Sequence, residues 1–145
     1  MTPADDSDAI VVRRTIPAAR ERVFDAWLDP ARLATFMRPG DVTHVTANVD
    51  ARVGGTFRIV MEHGRGDAEH TGEYLTIDRP RLLAFTWKSG STDWQPSIVT
   101  IELIELGAAQ TEVVLTHRGI PPRTIEPHRG GWGRILELLA ASPAT

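Results

Sequence analysis

Hydrophobic positions in this chain alternate in steps of two over most of its length and switch to helical spacing in three places. The β-branched run Ile10, Val11, Val12, Thr15 and Ile16 predicts a first strand, stopped by Pro17. In the next segment, Ala18 to Leu28, the buried-type residues Val23, Ala26 and Trp27 recur at i, i+3 and i+4, one face of a helix. Asp29-Pro30 ends that helix and starts another, because the carboxylate accepts an orphan N–H and proline has none to lose. The second helix carries Leu33, Phe36 and Met37 before Pro39-Gly40 closes it. Six further strands are predicted at about 41–50, 56–62, 70–78, 82–88, 97–106 and 110–118, separated by glycine- and aspartate-containing turns. Phe57, Ile59 and Met61 share one face, as do Leu83, Phe85 and Trp87, and Val99, Ile101 and Leu103. Short connections make the neighbours antiparallel, since parallel pairs need long crossovers.

After Ile120-Pro121-Pro122 the period changes, and Trp132, Ile135, Leu136 and Leu139 mark one face of a terminal helix. Gly130, Gly131 and Gly133 leave two readings open. Either the regular helix begins near residue 130, or the glycines let it approach another backbone closely. Strand, two short helices, six strands and a long helix make an α+β domain. A twisted antiparallel sheet curled around that single long helix encloses apolar volume between them.

Composition narrows the function. With 145 residues the chain is the size of one ordinary domain, read here as a disordered tail over residues 1–8 and a single domain over 9–145. It has no cysteine, which excludes disulfides, thiolate metal sites and a cysteine nucleophile. A net charge of -3 argues against nucleic-acid binding, which needs a basic surface. No apolar run reaches the roughly 20 residues of a membrane-spanning helix. Three aspartates in the first eight residues are unlike a secretory signal, so a cytoplasmic location is expected.

Four segments then carry a resemblance. Arg14 to Pro30, Arg52-Val-Gly-Gly-Thr-Phe-Arg58, His70-Thr-Gly-Glu-Tyr74 and Pro80 to Trp87 are similar to the START-like (SRPBCC, Bet v 1-like) superfamily. Within it they resemble the branch named after the activator of heat-shock protein 90 ATPase, with later matches at Val99-Thr100, Thr116-His117 and Gly131-Trp132. The likeness runs in order from about Ile10 to Ala141. It implies the helix-grip fold, a seven-stranded antiparallel sheet wrapped around a C-terminal helix and an internal cavity. It also offers heat-shock protein 90 as a partner and a stress response as a setting. The eukaryotic activators carry a further N-terminal domain for which this chain has no room, so the cavity is the first reading and the chaperone contact the second.

Chemistry-bearing residues are few. Residues 62–70 hold Glu62, His63, Asp67, Glu69 and His70, but around a glycine turn that solvates charges rather than binding metal. For acid–base work the pool is His44, His63, His70, His117, His128, Glu73 and Tyr74, with Glu73 and Tyr74 on opposite faces of one strand. No catalytic motif of the resemblance carries over onto them, so no catalytic residue, metal or cofactor is assigned, and an enzyme is the third reading. The aromatic set is more informative. Phe36, Met37, Tyr74, Trp87, Trp94 and Trp132 are the candidates for lining a cavity, whereas Phe57, Phe85 and Leu136 read as core. Trp94 sits in the polar loop 89–96, where it could lid a cavity mouth. The expected occupant is a small hydrophobic or amphipathic molecule, and exposed Trp or Leu on the last helix leaves room for a homodimer.

Overall fold

A computed structural model describes residues 9–142, so the tail expected over residues 1–8 lies outside them. The chain runs β1 (Ile10–Ile16), α1 (Arg20–Ala26), α2 (Pro30–Phe36), β2 (His44–Val49), β3 (Thr56–His63), β4 (Gly66–Asp78), β5 (Leu82–Trp87), β6 (Ser97–Gly107), β7 (Gln110–Arg118) and α3 (Ile125–Ala141). The strands form one antiparallel sheet in the order β1-β7-β6-β5-β4-β3-β2. Strands β2 to β7 are therefore a meander, and β1 closes onto the last of them. The two short helices carry the chain from one edge of the sheet to the other. Asp29 caps the second, its Oδ1 accepting from the Ala31 N–H at 2.9 Å with Pro30 in the first turn.

Alternation decides what the curled sheet faces. The inward residues Phe57, Ile59 and Met61, Leu83, Phe85 and Trp87, Val99, Ile101 and Leu103, and Val113 and Leu115 are all buried. Against them lie Trp132, Ile135, Leu136 and Leu139 of α3, the stripe expected from spacing. Tyr74 points inward and Glu73 outward, as their neighbouring positions on a strand require. This is the helix-grip arrangement, with the two short helices between β1 and β2.

Two glycines in the resembling motifs have structural work. Gly54 takes φ +83°, and its N–H donates to the Tyr74 carbonyl at 2.9 Å while the Tyr74 N–H donates to Gly55 O at 2.9 Å. Gly72 sits opposite Phe57 in the β3–β4 register, and a Cβ there would lie 2.4 Å from that ring and 2.0 Å from Thr86 O.

Three boundaries differ from the pattern. Strand β2 is shorter than 41–50, since Gly40 takes φ +63° and the ladder starts only at His44. Strand β4 begins at Gly66, not 70, because the turn needs only Gly64 and Arg65 and the solvated Asp67 and Glu69 mask the strand period. Helix α3 begins at Ile125, upstream of its glycines, with Pro127 in the first turn where a missing N–H costs nothing. Gly130 and Gly133 meet nothing within 4 Å, so no close approach requires them.

Candidate functional site

Where β3, β4 and β5 pass under the first turns of α3, the side chains do not fill the space. A pocket of about 140 Å³ remains. Its floor is apolar and buried: Met61 from β3, Trp87 from β5, and Trp132 and Ile135 from α3. The indoles of Trp87 and Trp132 meet at a centroid distance of 5.0 Å, tilted by 55°. Two half-buried imidazoles form the walls, His70 from β4 and His128 from α3. Pro39, Ser91, Pro127 and Gly131, all exposed or half-buried, make the rim. Among the described residues, no side chain bearing a fixed charge lines it.

Behind the floor runs a buried hydrogen-bonded chain. Trp132 Nε1–H donates to His117 Nδ1 at 3.0 Å, so that nitrogen holds a lone pair. The proton of the neutral ring is then on Nε2, which donates to Ser97 Oγ at 2.7 Å, and Ser97 in turn donates to the Trp87 carbonyl at 2.7 Å. Every polar atom in this chain is satisfied, and the chain ties the two tryptophans of the floor to β6 and β7. Burial holds His117 neutral, its pKa lowered to about 3, with repulsion from His128 adding in the same direction. Although a serine and a histidine in contact suggest a nucleophile and its base, Nε2 here already carries the proton it would need to accept. The pair is a structural strut.

His70 and His128 are different. His70 stacks on Trp87 at 4.8 Å, and its Nδ1 is buried with no partner in hydrogen-bonding geometry. Burial lowers its pKa to about 4, and the nearby carbonyls of Ile59 and Ala68 offset this only in part. His128 lies edge-on to His117 at 5.1 Å, and its Nδ1 meets the Thr124 carbonyl at 2.8 Å. A carbonyl can only accept, so Nδ1 is the protonated nitrogen and Nε2 holds the lone pair. Desolvation lowers His128 too, against the pull of the Thr124 carbonyl.

The structure separates the six aromatic and methionine candidates. Trp87 and Trp132 are brought together in the pocket floor. Met37 and Tyr74, with Trp87, border an adjoining void of only about 10 Å³, and burial pushes the Tyr74 hydroxyl pKa up. Phe36 packs edge-on against Trp27 at 5.0 Å and lines neither space. Trp94 is 47% exposed beside an outer depression that also touches His70 and Ser91. It and Asp93 take φ of 58° and 56°, left-handed conformations that non-glycine residues rarely hold, with Asp93 tied to Arg123 at 2.6 Å. Among the described residues no group of three or more His, Asp or Glu side chains is placed to hold a metal ion. The wall residues were legible only as members of an acid–base pool. The inward phase of Val113, Leu115 and His117 on β7 was the signal that could have placed His117 in the core.

Comparison with known proteins places the fold. Residues 17–142 match the family model described as activator of Hsp90 ATPase homolog 1-like protein. Among solved structures, protein CV1439 from Chromobacterium violaceum superimposes with a TM-score of 0.82 at 27% identity, covering 93% of this chain and 96% of that one. The AHSA1 protein from Silicibacter pomeroyi gives 0.76 at 26% identity, covering 92% and 95%. PFC0360w, called an HSP90 activator, from Plasmodium falciparum, gives 0.73 at 25% identity, covering 92% and 94%. Against the curated proteins the chain has no match.

Proposed function

The chain belongs to the family of activator of Hsp90 ATPase homolog 1-like proteins, and from that premise we propose that it binds a small, mainly apolar molecule in the pocket whose floor is Trp87 and Trp132. The observation that carries this reading is unfilled space with an apolar floor. Cores normally pack without voids larger than a water molecule, whereas this one leaves about 140 Å³ beneath a partly open rim. An engineered apolar cavity of roughly 150 Å³ holds benzene, so the volume suits one six-membered ring or a short branched chain. A larger ligand would leave its remainder outside, past Pro39 and Ser91. Burying one ring contributes roughly 6 kcal/mol at about 25 cal/mol per Å², much of it offset by the cost of association. A weak Kd of about 1–10 mM for a one-ring molecule follows.

Native mass spectrometry of freshly purified protein tests the reading. A reproducible excess mass that leaves on denaturation supports it and identifies the ligand class. An unliganded mass that stays unchanged after incubation with millimolar toluene counts against it.

A second reading is favoured by the Plasmodium falciparum relative, whose structure is called that of an HSP90 activator. On this reading a surface of the domain contacts heat-shock protein 90 and raises its ATP turnover. Adding the purified chain to the chaperone and following phosphate release decides it. Unchanged turnover at saturating chain concentration rejects it.

A further inference from the structure

The pocket walls specify more than apolarity. His128 donates its only N–H to the Thr124 carbonyl, so its Nε2 is an acceptor with no protein partner among the described residues. His70 contributes a second imidazole whose Nδ1 is buried without a hydrogen bond. The two rings flank the tryptophan floor, His70 against Trp87 and His128 against His117, which itself holds Trp132. We infer that the pocket is selective for an uncharged one-ring compound bearing a hydroxyl group, a phenol, whose O–H donates to His128 Nε2 while its ring lies on Trp87 and Trp132. The inference rests on the pocket reading above and names the ligand class for that same site.

Each alternative chemistry fails on a named residue. A carboxylate would enter a space with no cationic side chain and with imidazoles held neutral by burial. An ammonium would find no carboxylate in the lining. An ether or ketone oxygen can only accept, so whatever His70 donates it leaves the lone pair of His128 Nε2 unmatched. A hydroxyl both donates and accepts, so it satisfies His128 and still matches either tautomer of His70. A hydrocarbon fits the floor but makes no hydrogen bond to His128 Nε2 and leaves the buried His70 Nδ1 unpaired.

Titrations of the full chain with phenol, anisole, toluene and benzoate, followed by the indole N–H resonances of Trp87 and Trp132, test this. Phenol is expected to bind about tenfold more tightly than anisole, or about 1.4 kcal/mol. In His128→Leu the phenol preference disappears while toluene affinity stays within about twofold. His128→Gln restores an acceptor and recovers part of the preference. Equal binding of phenol and anisole by the wild-type protein overturns the inference and leaves the pocket reading standing, as does benzoate binding most tightly. A preference for phenol that survives in His128→Leu also overturns it. If none of the four shifts either indole, the inference and the pocket reading fall together.

Discussion

Acidification should destabilise this protein before most of its carboxylates titrate. Burial lowers His117 to about 3 and His70 to about 4, against 6.5 for a free imidazole. The unfolded chain takes up protons that the folded one refuses. Stability is therefore fully present above pH 6.5 and is lost as pH falls from there toward 4. Between pH 7 and pH 4.5 linkage gives a loss of roughly 2–3 kcal/mol from each of these two groups, about 5 kcal/mol together. That is comparable to the whole stability of a marginal domain, about 5–15 kcal/mol. His128 acts in the same direction from a more open position. Asp25, lowered chiefly by its hydrogen bonds from Arg79, contributes stability that is lost only below the ordinary carboxylate range and so lies outside this window.

Urea unfolding followed by tryptophan fluorescence at pH 7, 6, 5 and 4.5 measures the slope directly. His117→Gln removes one titrating ring while keeping hydrogen-bonding groups in place, and should remove about half the slope at some cost in stability at pH 7. A stability that stays level within about 1 kcal/mol across the window would refute the placement of neutral histidines in the core. A full slope in His117→Gln would refute the role given to that ring alone.

Three further outcomes follow from the packing. Gly130→Ala and Gly133→Ala, which meet open space on α3, should each stabilise by about 0.5–1 kcal/mol in thermal denaturation. Gly72→Ala should cost about 3 kcal/mol or more, read from urea midpoints, because its methyl overlaps the Phe57 ring and the Thr86 carbonyl. Trp94→Gly should raise stability by about 1 kcal/mol by relieving a left-handed backbone, and should leave toluene binding within about twofold, since Trp94 lies outside the pocket.

The sheet and the helix stripe were legible in the sequence because each depends on local period: one face apolar, the other polar. Elements failed where that contrast was blurred. The first half of β4 carries Asp67 and Glu69 on a solvated face, and its inward Ala68 and His70 are too weakly apolar to show the alternation. The start of α3 hides behind a proline and three glycines whose propensities oppose the helix, and packing of the downstream stripe overrides them. The pocket was legible only as a set of aromatic residues. Trp87 and Trp132 could be named, yet the void over them is a volume mismatch among side chains from several separate elements, which no local period records. The hydrogen-bonded chain through His117 likewise joins β6, β7 and α3, and depends on tertiary register.

Occupancy of the pocket is the central claim, and Gly131 allows it to be tested without damage to the fold. A Cβ at Gly131 would meet Pro39 at 3.5 Å, an ordinary contact, so a longer side chain there grows across the rim. A nuclear magnetic resonance titration of wild-type protein and Gly131→Leu with toluene compares an open pocket with a blocked one. Saturable shifts of the Trp87 and Trp132 indoles in the wild type, absent from an equally stable or more stable Gly131→Leu, are the predicted result. Shifts of equal size in both proteins, or none in the wild type, would contradict a binding site at this place.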